Sequence, residues 1–257
     1  MEILIVSIVA FAASALTLFS GFGLGTLLMP VVAIFFPLEI AIAMTAMVHF
    51  ANNVFKVILL GRQAAPSVLI RFGIPAVLCA FVGAVILGWL SEMPAIFEYV
   101  AFGHSMQVSP VKLIVGLLIL VFVFLELSKW LSAIELDKKY LPYGGAVSGF
   151  FGGLSGHQGA FRSMFLLKAG LSKEQFVATG VMLAIMVDVS RMLIYGWQIS
   201  GQAQAINWPL VAAASGAAFV GAFVGARLLK KLTIKSIQVA VAMLLVVVSL
   251  GLIVGVL

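Results

Sequence analysis

The sequence predicts an all-α polytopic membrane protein made of two inverted-topology repeats, each a glycine-broken helical hairpin plus three transmembrane helices. Composition, the spacing of the apolar segments and an internal duplication support this fold class. Of 257 residues, 63% are hydrophobic and 9% are charged, and the mean hydropathy is +1.24. A soluble domain carries about 25% charged residues, so this chain cannot cover a water-facing surface. The single cysteine, Cys79, excludes an internal disulfide scaffold.

Apolar segments of two kinds follow one another along the chain. A helix that crosses the bilayer needs about 20 apolar residues. Six segments meet this requirement, at about 38–60, 71–90, 111–131, 172–196, 208–229 and 235–256. Two further stretches, 3–36 and 143–170, are interrupted by glycine-rich runs of weak helix formers. Each of these two predicts either one tilted helix or a hairpin of two short helices that meet at the glycines.

The distribution of basic residues favours the hairpins. With two hairpins, eleven basic residues lie on one side of the membrane and only Lys112 lies on the other, whereas two single crossings divide them five to seven. The eleven are Arg62, Arg71, Lys129, Lys138, Lys139, Lys168, Lys173, Arg227, Lys230, Lys231 and Lys235. Because basic loops stay in the cytoplasm, the hairpin topology is predicted, with both termini outside a bacterial-type plasma (inner) membrane.

An internal repeat appears when the sequence is shifted by 135 positions. The aligned pairs are Ser20-Gly21 with Ser155-Gly156, Glu39 with Glu174, Asn53 with Asp188, Lys56 with Arg191, and Gly61 with Gly196. Five embedded pieces per half is an odd number, so the second half is predicted to be inverted, as in many secondary transporters. The predicted boundaries are 1–125 for the first repeat, 126–142 for a cytoplasmic linker and 143–257 for the second repeat.

Polar residues within the apolar segments are the candidate site. Ionisable groups at membrane depth are costly and are therefore functional candidates by default. The predicted substrate-binding residues are Arg162, Arg191, Lys56, Asn53, Asn52, His157, Gln158, Gly21, Gly23, Gly25 and Gly156. His49 and Asp188 are candidates for carrying a coupled proton. Each also has a structural interpretation: Asp188 and Arg191 as a packing ion pair, Lys56 extending to lipid headgroups, and the asparagines as interhelical hydrogen-bond partners.

Formal charge at membrane depth indicates the class of substrate. Lys56, Arg162 and Arg191 against Asp188 leave an excess of two positive charges. Helix N-termini at the two breaks add positive potential, and together they favour a small oxyanion. The sequence therefore predicts a secondary anion transporter, with no catalytic residues, metal, cofactor or nucleic-acid partner. An anion channel with the same lining and a non-transporting membrane scaffold are the alternatives, and the oligomeric state stays open.

Several motifs resemble the sulfite exporter TauE/SafE family over essentially the full length. They are the glycine-rich segment from Ser20 to Pro30, the Pro37-Leu38-Glu39 that follows, Gly61-Arg62 and the duplication itself. The second glycine-rich segment differs from the family pattern, because it has His157, Gln158 and Arg162 and lacks a proline. The resemblance implies membrane transport of sulfite, thiosulfate or organosulfonates such as sulfoacetate. Export is favoured somewhat, since an inside-negative membrane drives anions outward.

Overall fold

The computed structural model describes residues 1–20, 23–60, 63–101, 103–128, 137–167, 169–198, 204–228 and 234–257. Ten α-helices lie within these ranges: α1 (Glu2–Ser20), α2 (Leu24–Val32), α3 (Leu38–Leu60), α4 (Pro66–Glu92), α5 (Pro110–Leu127), α6 (Leu141–Ser155), α7 (Gly159–Leu166), α8 (Lys173–Gln198), α9 (Trp208–Leu228) and α10 (Ile234–Ile253). A single turn of 3₁₀-helix at Lys138–Tyr140 precedes α6.

Helix length and composition agree with a membrane-spanning chain. Among the described residues, α3, α4, α8 and α9 are long and apolar enough to cross a bilayer. The other two predicted spans correspond to α5 and α10, which are apolar over the shorter stretches Pro110–Leu125 and Ala242–Ile253. All six predicted spanning segments therefore form helices, four of which meet the length expected for a full crossing.

The two predicted helix breaks lie at the glycine-rich runs. In the first, α1 ends at Ser20 and α2 begins after Gly23, whose backbone is extended. In the second, α6 ends at Ser155, and Gly156 closes it in the left-handed conformation with φ +80°. Glycine adopts that conformation without the steric cost that a Cβ carries, which explains why the helix ends there.

Close helix pairs hold the bundle together, and they follow a reciprocal pattern. The most extensive contacts join α4 to α6 and α1 to α9. A Cβ added at Gly83 of α4 would lie 2.1 Å from the Phe150 carbonyl oxygen of α6, and one at Gly221 of α9 would lie 2.2 Å from the Phe11 carbonyl oxygen of α1. Glycine at these two positions lets the backbones approach closely, as is common in membrane helix pairs.

A β-hairpin is the one described departure from the all-α prediction. Strands β1 (Phe97–Ala101) and β2 (His104–Val108) pair antiparallel, with Phe97 opposite Val108. The Tyr99 hydroxyl donates a hydrogen bond to the Val254 carbonyl, which ties the hairpin to the end of the last helix. Strands of five residues are too short for periodicity to separate them from a loop, so the sequence prediction missed them.

Candidate functional site: a buried polar cluster where the helix breaks meet

Asp188 is the centre of the polar cluster, fully buried where α8 packs against α3. Arg191, one turn further along α8, donates to Asp188 Oδ1 from Nε at 3.0 Å and from Nη2 at 2.8 Å. The other carboxylate oxygen, Oδ2, lies 2.7 Å from His49 Nδ1 of α3 and accepts from Asn53 Nδ2 at 3.4 Å. One carboxylate therefore joins the two helices. The ion pair predicted at i, i+3 is present, and its acid is satisfied by protein groups.

The two candidates for a coupled proton, His49 and Asp188, are in direct contact. Their 2.7 Å separation is that of a charge-assisted hydrogen bond. Asn53 Nδ2 lies 3.3 Å from His49 Nε2, the ring nitrogen that can accept when Nδ1–H donates to Asp188, so both ring nitrogens have a partner. A proton held at His49 or Asp188 therefore lies at the contact between α3 and α8.

Asn52 and Lys56 form a second, neighbouring group on α3. The Asn52 amide is oriented so that its oxygen accepts from Lys56 Nζ at 3.1 Å and its nitrogen donates to the Ala218 carbonyl of α9 at 3.2 Å. Ser14 of α1 is also within hydrogen-bonding distance of this amide. Lys56 is buried, with 6% of its surface exposed, so it does not extend to lipid headgroups from this position. The asparagine does act as an interhelical hydrogen-bond partner.

The two helix breaks approach each other beside the ion cluster. A Cβ added at Gly25, in the first turn of α2, would lie 3.8 Å from the Gly156 carbonyl oxygen at the end of α6. A Cβ at Gly23 would lie 3.8 Å from His49 Nε2, and one at Gly156 would lie 2.8 Å from Arg191 Nη1. Three of the predicted glycines therefore border the cluster. The fourth, Gly21, lies outside the described residues.

Four buried polar atoms near these breaks have no hydrogen-bond partner among the described residues. They are Thr45 Oγ1, His157 Nε2, Gln158 Nε2 and Arg162 Nη1. Buried polar atoms are nearly always paired, because an unpaired one costs about 1–3 kcal/mol. Three of the four come from the second glycine-rich segment, at the positions that differ from the family pattern. Such a concentration of unpaired groups is typical of a ligand site.

His157 and Arg162 differ in what surrounds them. His157 Nδ1 donates to the Ser155 carbonyl at 2.9 Å, which leaves Nε2 of a neutral ring as an acceptor, and the ring stacks on Phe122 of α5. Arg162 of α7 lies against α8, where a Cβ added at Gly180 would be 3.7 Å from its Nε. Arg162 is half-buried, and its contact with α8 brings its charge to the helix that carries Asp188 and Arg191.

Three residues of this region were not among the predicted site residues. Ser14 hydrogen-bonds Asn52, and Thr45 contributes one of the unpaired atoms. The Tyr195 hydroxyl donates to the Gly153 carbonyl, which connects α8 to the last turn of α6. Tyr195 was recognisable, because it follows Arg191 by one turn on the same helix face. Ser14 and Thr45 are common helix residues with no spacing signal that marks them.

Comparison with known proteins identifies the family. A family model described as sulfite exporter TauE/SafE matches residues 6–252 of the chain. The chain belongs to the sulfite exporter TauE/SafE family. The predicted resemblance is thereby confirmed, and with the spanning helices it makes the chain a multi-pass protein of a membrane-transport family. Comparisons with curated proteins and with solved structures gave no significant match.

Proposed function

We propose that this TauE/SafE member is a secondary transporter that moves a small sulfur-containing oxyanion or organosulfonate across the plasma (inner) membrane. The observation that carries the proposal is the meeting of the two helix breaks beside a positively charged, buried cluster. Gly25 and Gly156 approach there, and unpaired donors of Gln158 and Arg162 lie on the second break. Sulfite, thiosulfate and sulfoacetate all offer several acceptor oxygens to such donors.

Two inverted repeats, 1–125 and 143–257 joined by the linker 126–142, are part of the proposal. The reciprocal helix contacts support them: α1 packs on α9 as α6 packs on α4, and α3 packs on α9 as α8 packs on α4. Helix α3 also packs on α8, and α5 packs on α10. In each of these two pairs, the helices occupy the same position in the two proposed repeats. A two-fold axis between the halves produces this pattern, and we place the axis in the membrane plane because five embedded pieces per half is an odd number, which inverts one half relative to the other.

Within this arrangement the site lies between the halves. The first half contributes His49, Asn53 and Lys56, and the second contributes Asp188, Arg191 and Arg162. Movement of one half against the other changes the side of the membrane from which the anion site is accessible. Both termini lie outside in this arrangement. An inside-negative potential favours the export of an anion by about 2.3 kcal/mol per charge per 100 mV. Export therefore needs no coupled ion, and the His49–Asp188 contact is the place where a coupled proton would act.

Counterflow in proteoliposomes tests the proposal. Purified protein is reconstituted into liposomes loaded with unlabelled thiosulfate, and uptake of radiolabelled thiosulfate is followed, with protein-free liposomes as the control. We expect saturable, transient accumulation of label that unlabelled sulfite and sulfoacetate reduce. Conductance far above carrier turnover rates would show an anion channel instead. Absence of both flux and conductance, from protein that is folded and correctly inserted, would support the scaffold alternative and contradict the proposal.

A further inference from the structure

Two cations in the site, Lys56 and Arg162, have no carboxylate of their own. Among the described residues, the ion pairs of the buried cluster are those of Asp188 with Arg191 and with His49, and no carboxylate lies within 4 Å of Lys56 Nζ or of the Arg162 guanidinium. Within the described part of the chain, the neutral Asn52 amide is the one hydrogen-bond partner of Lys56, and Arg162 Nη1 has none. The excess of two positive charges is thus assigned to these two residues.

These two cations lie on the same side of the Asp188 cluster. Arg162 packs against α8 at Gly180, one residue from Thr179, whose hydroxyl accepts from the Ala65 backbone N–H of the α3–α4 connection. Lys56 is in the last turns of α3, which lead into that same connection. The proposed topology places this side in the cytoplasm, where a substrate for export enters.

Lys56 is buried and Arg162 is half-buried with a buried Nη1, so these two like charges are costly to keep together, and a counterion with one negative charge leaves half of that charge uncompensated. A ligand with two negative charges compensates both. Gln158, 3% exposed and with an unpaired amide nitrogen, supplies a neutral donor on the same segment as Arg162. Resting on the proposed function, we infer that this transporter is selective for dianions over monoanions of the same size, and that Lys56 and Arg162 are the residues that recognise the two charges.

The preference is measured by calorimetric binding to purified protein at pH 7. One ligand pair is sulfoacetate and 2-hydroxyethanesulfonate, which share a sulfonate and a similar length but carry two charges and one. A second pair, thiosulfate and methanesulfonate, repeats the comparison for compact anions. We expect each dianion to bind about 30-fold or more tightly than its monoanion, since an unmatched buried charge costs about 2 kcal/mol or more. Equal affinity within each pair would overturn the inference but leave the proposed function standing.

Substitutions assign the preference to the two residues. Lys56→Met and Arg162→Met each remove one charge with little change in length, so we expect about a 30-fold loss of dianion affinity and little change for the monoanion, which the remaining cation still holds. The charge-preserving Lys56→Arg and Arg162→Lys should keep the dianion preference. Lys139→Met removes an exposed cation in the 3₁₀ turn before α6 and is the matched control. An undiminished dianion preference in both methionine variants would contradict the inference.

Binding of none of the four anions by folded wild-type protein would instead count against the proposed function itself. Thermal unfolding of each variant in the same detergent shows whether it is folded. If the methionine variants do not fold, the charge-preserving pair and the wild-type ligand comparison still decide the inference, because selectivity for dianions must survive in Lys56→Arg and Arg162→Lys. Its loss in both folded variants would show that side-chain shape, and not charge, sets the preference.

Discussion

The two halves of the molecule place different charges at corresponding positions. At the offset of 135, Asn53 and Lys56 of α3 correspond to Asp188 and Arg191 of α8. In the second half the acid and base neutralise each other, and both Arg191 donors reach Asp188 Oδ1. In the first half a neutral amide replaces the acid, and Lys56 is left with Asn52. The second half therefore contains a closed ion pair, and the first contains a cation without a carboxylate partner among the described residues, which we propose binds the ligand.

The largest effect is expected from removing the acid of the closed pair. Asp188→Asn leaves Arg191 as an unmatched buried charge and removes the partner of His49, which costs about 3–5 kcal/mol in the free energy of unfolding. Unfolding by SDS titration in mixed micelles measures this change. The matched control is Asn53→Ala at the corresponding position of α3, which removes a hydrogen bond to the Asp188 carboxylate but leaves no charge unmatched, and it should cost about 1.5–2 kcal/mol. Equal losses in the two variants would contradict the distinction between the halves.

Adding an acid to the open half should also destabilise the protein. Asn53→Asp places a second carboxylate beside Asp188, at the 3.4 Å contact that Asn53 Nδ2 now makes. Repulsion between two carboxylates at about 4 Å is worth about 4 kcal/mol at an effective dielectric constant of about 20. In the double variant Asp188→Asn with Asn53→Asp, one carboxylate remains between His49 and Arg191, so stability should recover in part. A double-mutant cycle on the same SDS titration measures the coupling, and strictly additive losses would argue against a shared cluster.

The close helix contacts provide a comparison in which the halves should behave alike. Gly83→Ala and Gly221→Ala each force a Cβ against a backbone carbonyl, and each should lower the free energy of unfolding by about 1–3 kcal/mol. Gly216→Ala is the control on α9, because a Cβ there meets nothing within 4 Å. It should be neutral or slightly stabilising. A large loss in only one of the two close-contact variants would break the proposed equivalence of α4–α6 and α9–α1.

The smallest effects are expected from the single hydrogen bonds that join α8 to α6 and α3 to α1. Tyr195→Phe removes the bond to the Gly153 carbonyl, and Ser14→Ala removes the bond to Asn52. Each should cost about 0.5–1.5 kcal/mol in the free energy of unfolding. Both variants are measured in the same mixed micelles. A loss above 3 kcal/mol in either variant would show that its residue contributes more to stability than a single hydrogen bond.

The sequence predicted more of the fold than of the hydrogen bonds and ion pairs within the site. Both helix breaks and all six predicted spanning segments could be located, because glycine runs and apolar length are local signals. The short β-hairpin was missed for want of a readable period. Within the site, the Asp188–Arg191 pair followed from i, i+3 spacing. The sequence did not show that the neighbouring residues Asn52 and Asn53 bind different helices. Asn52 contacts Ala218 of α9 and Asn53 contacts Asp188 of α8, and this depends on which helix packs on each side of α3.

The central claim is that the two halves are inserted with opposite orientation and enclose the site between them. Single cysteines at Ser67, in the first turn of α4, and at Gln204, in the α8–α9 connection, test it most directly in a Cys79→Ser background, because both positions are exposed. Intact cells are treated with a membrane-impermeant maleimide before and after permeabilisation. The account predicts that Gln204→Cys is labelled in intact cells and Ser67→Cys only after permeabilisation. Labelling of both positions from the same side would contradict the inverted arrangement.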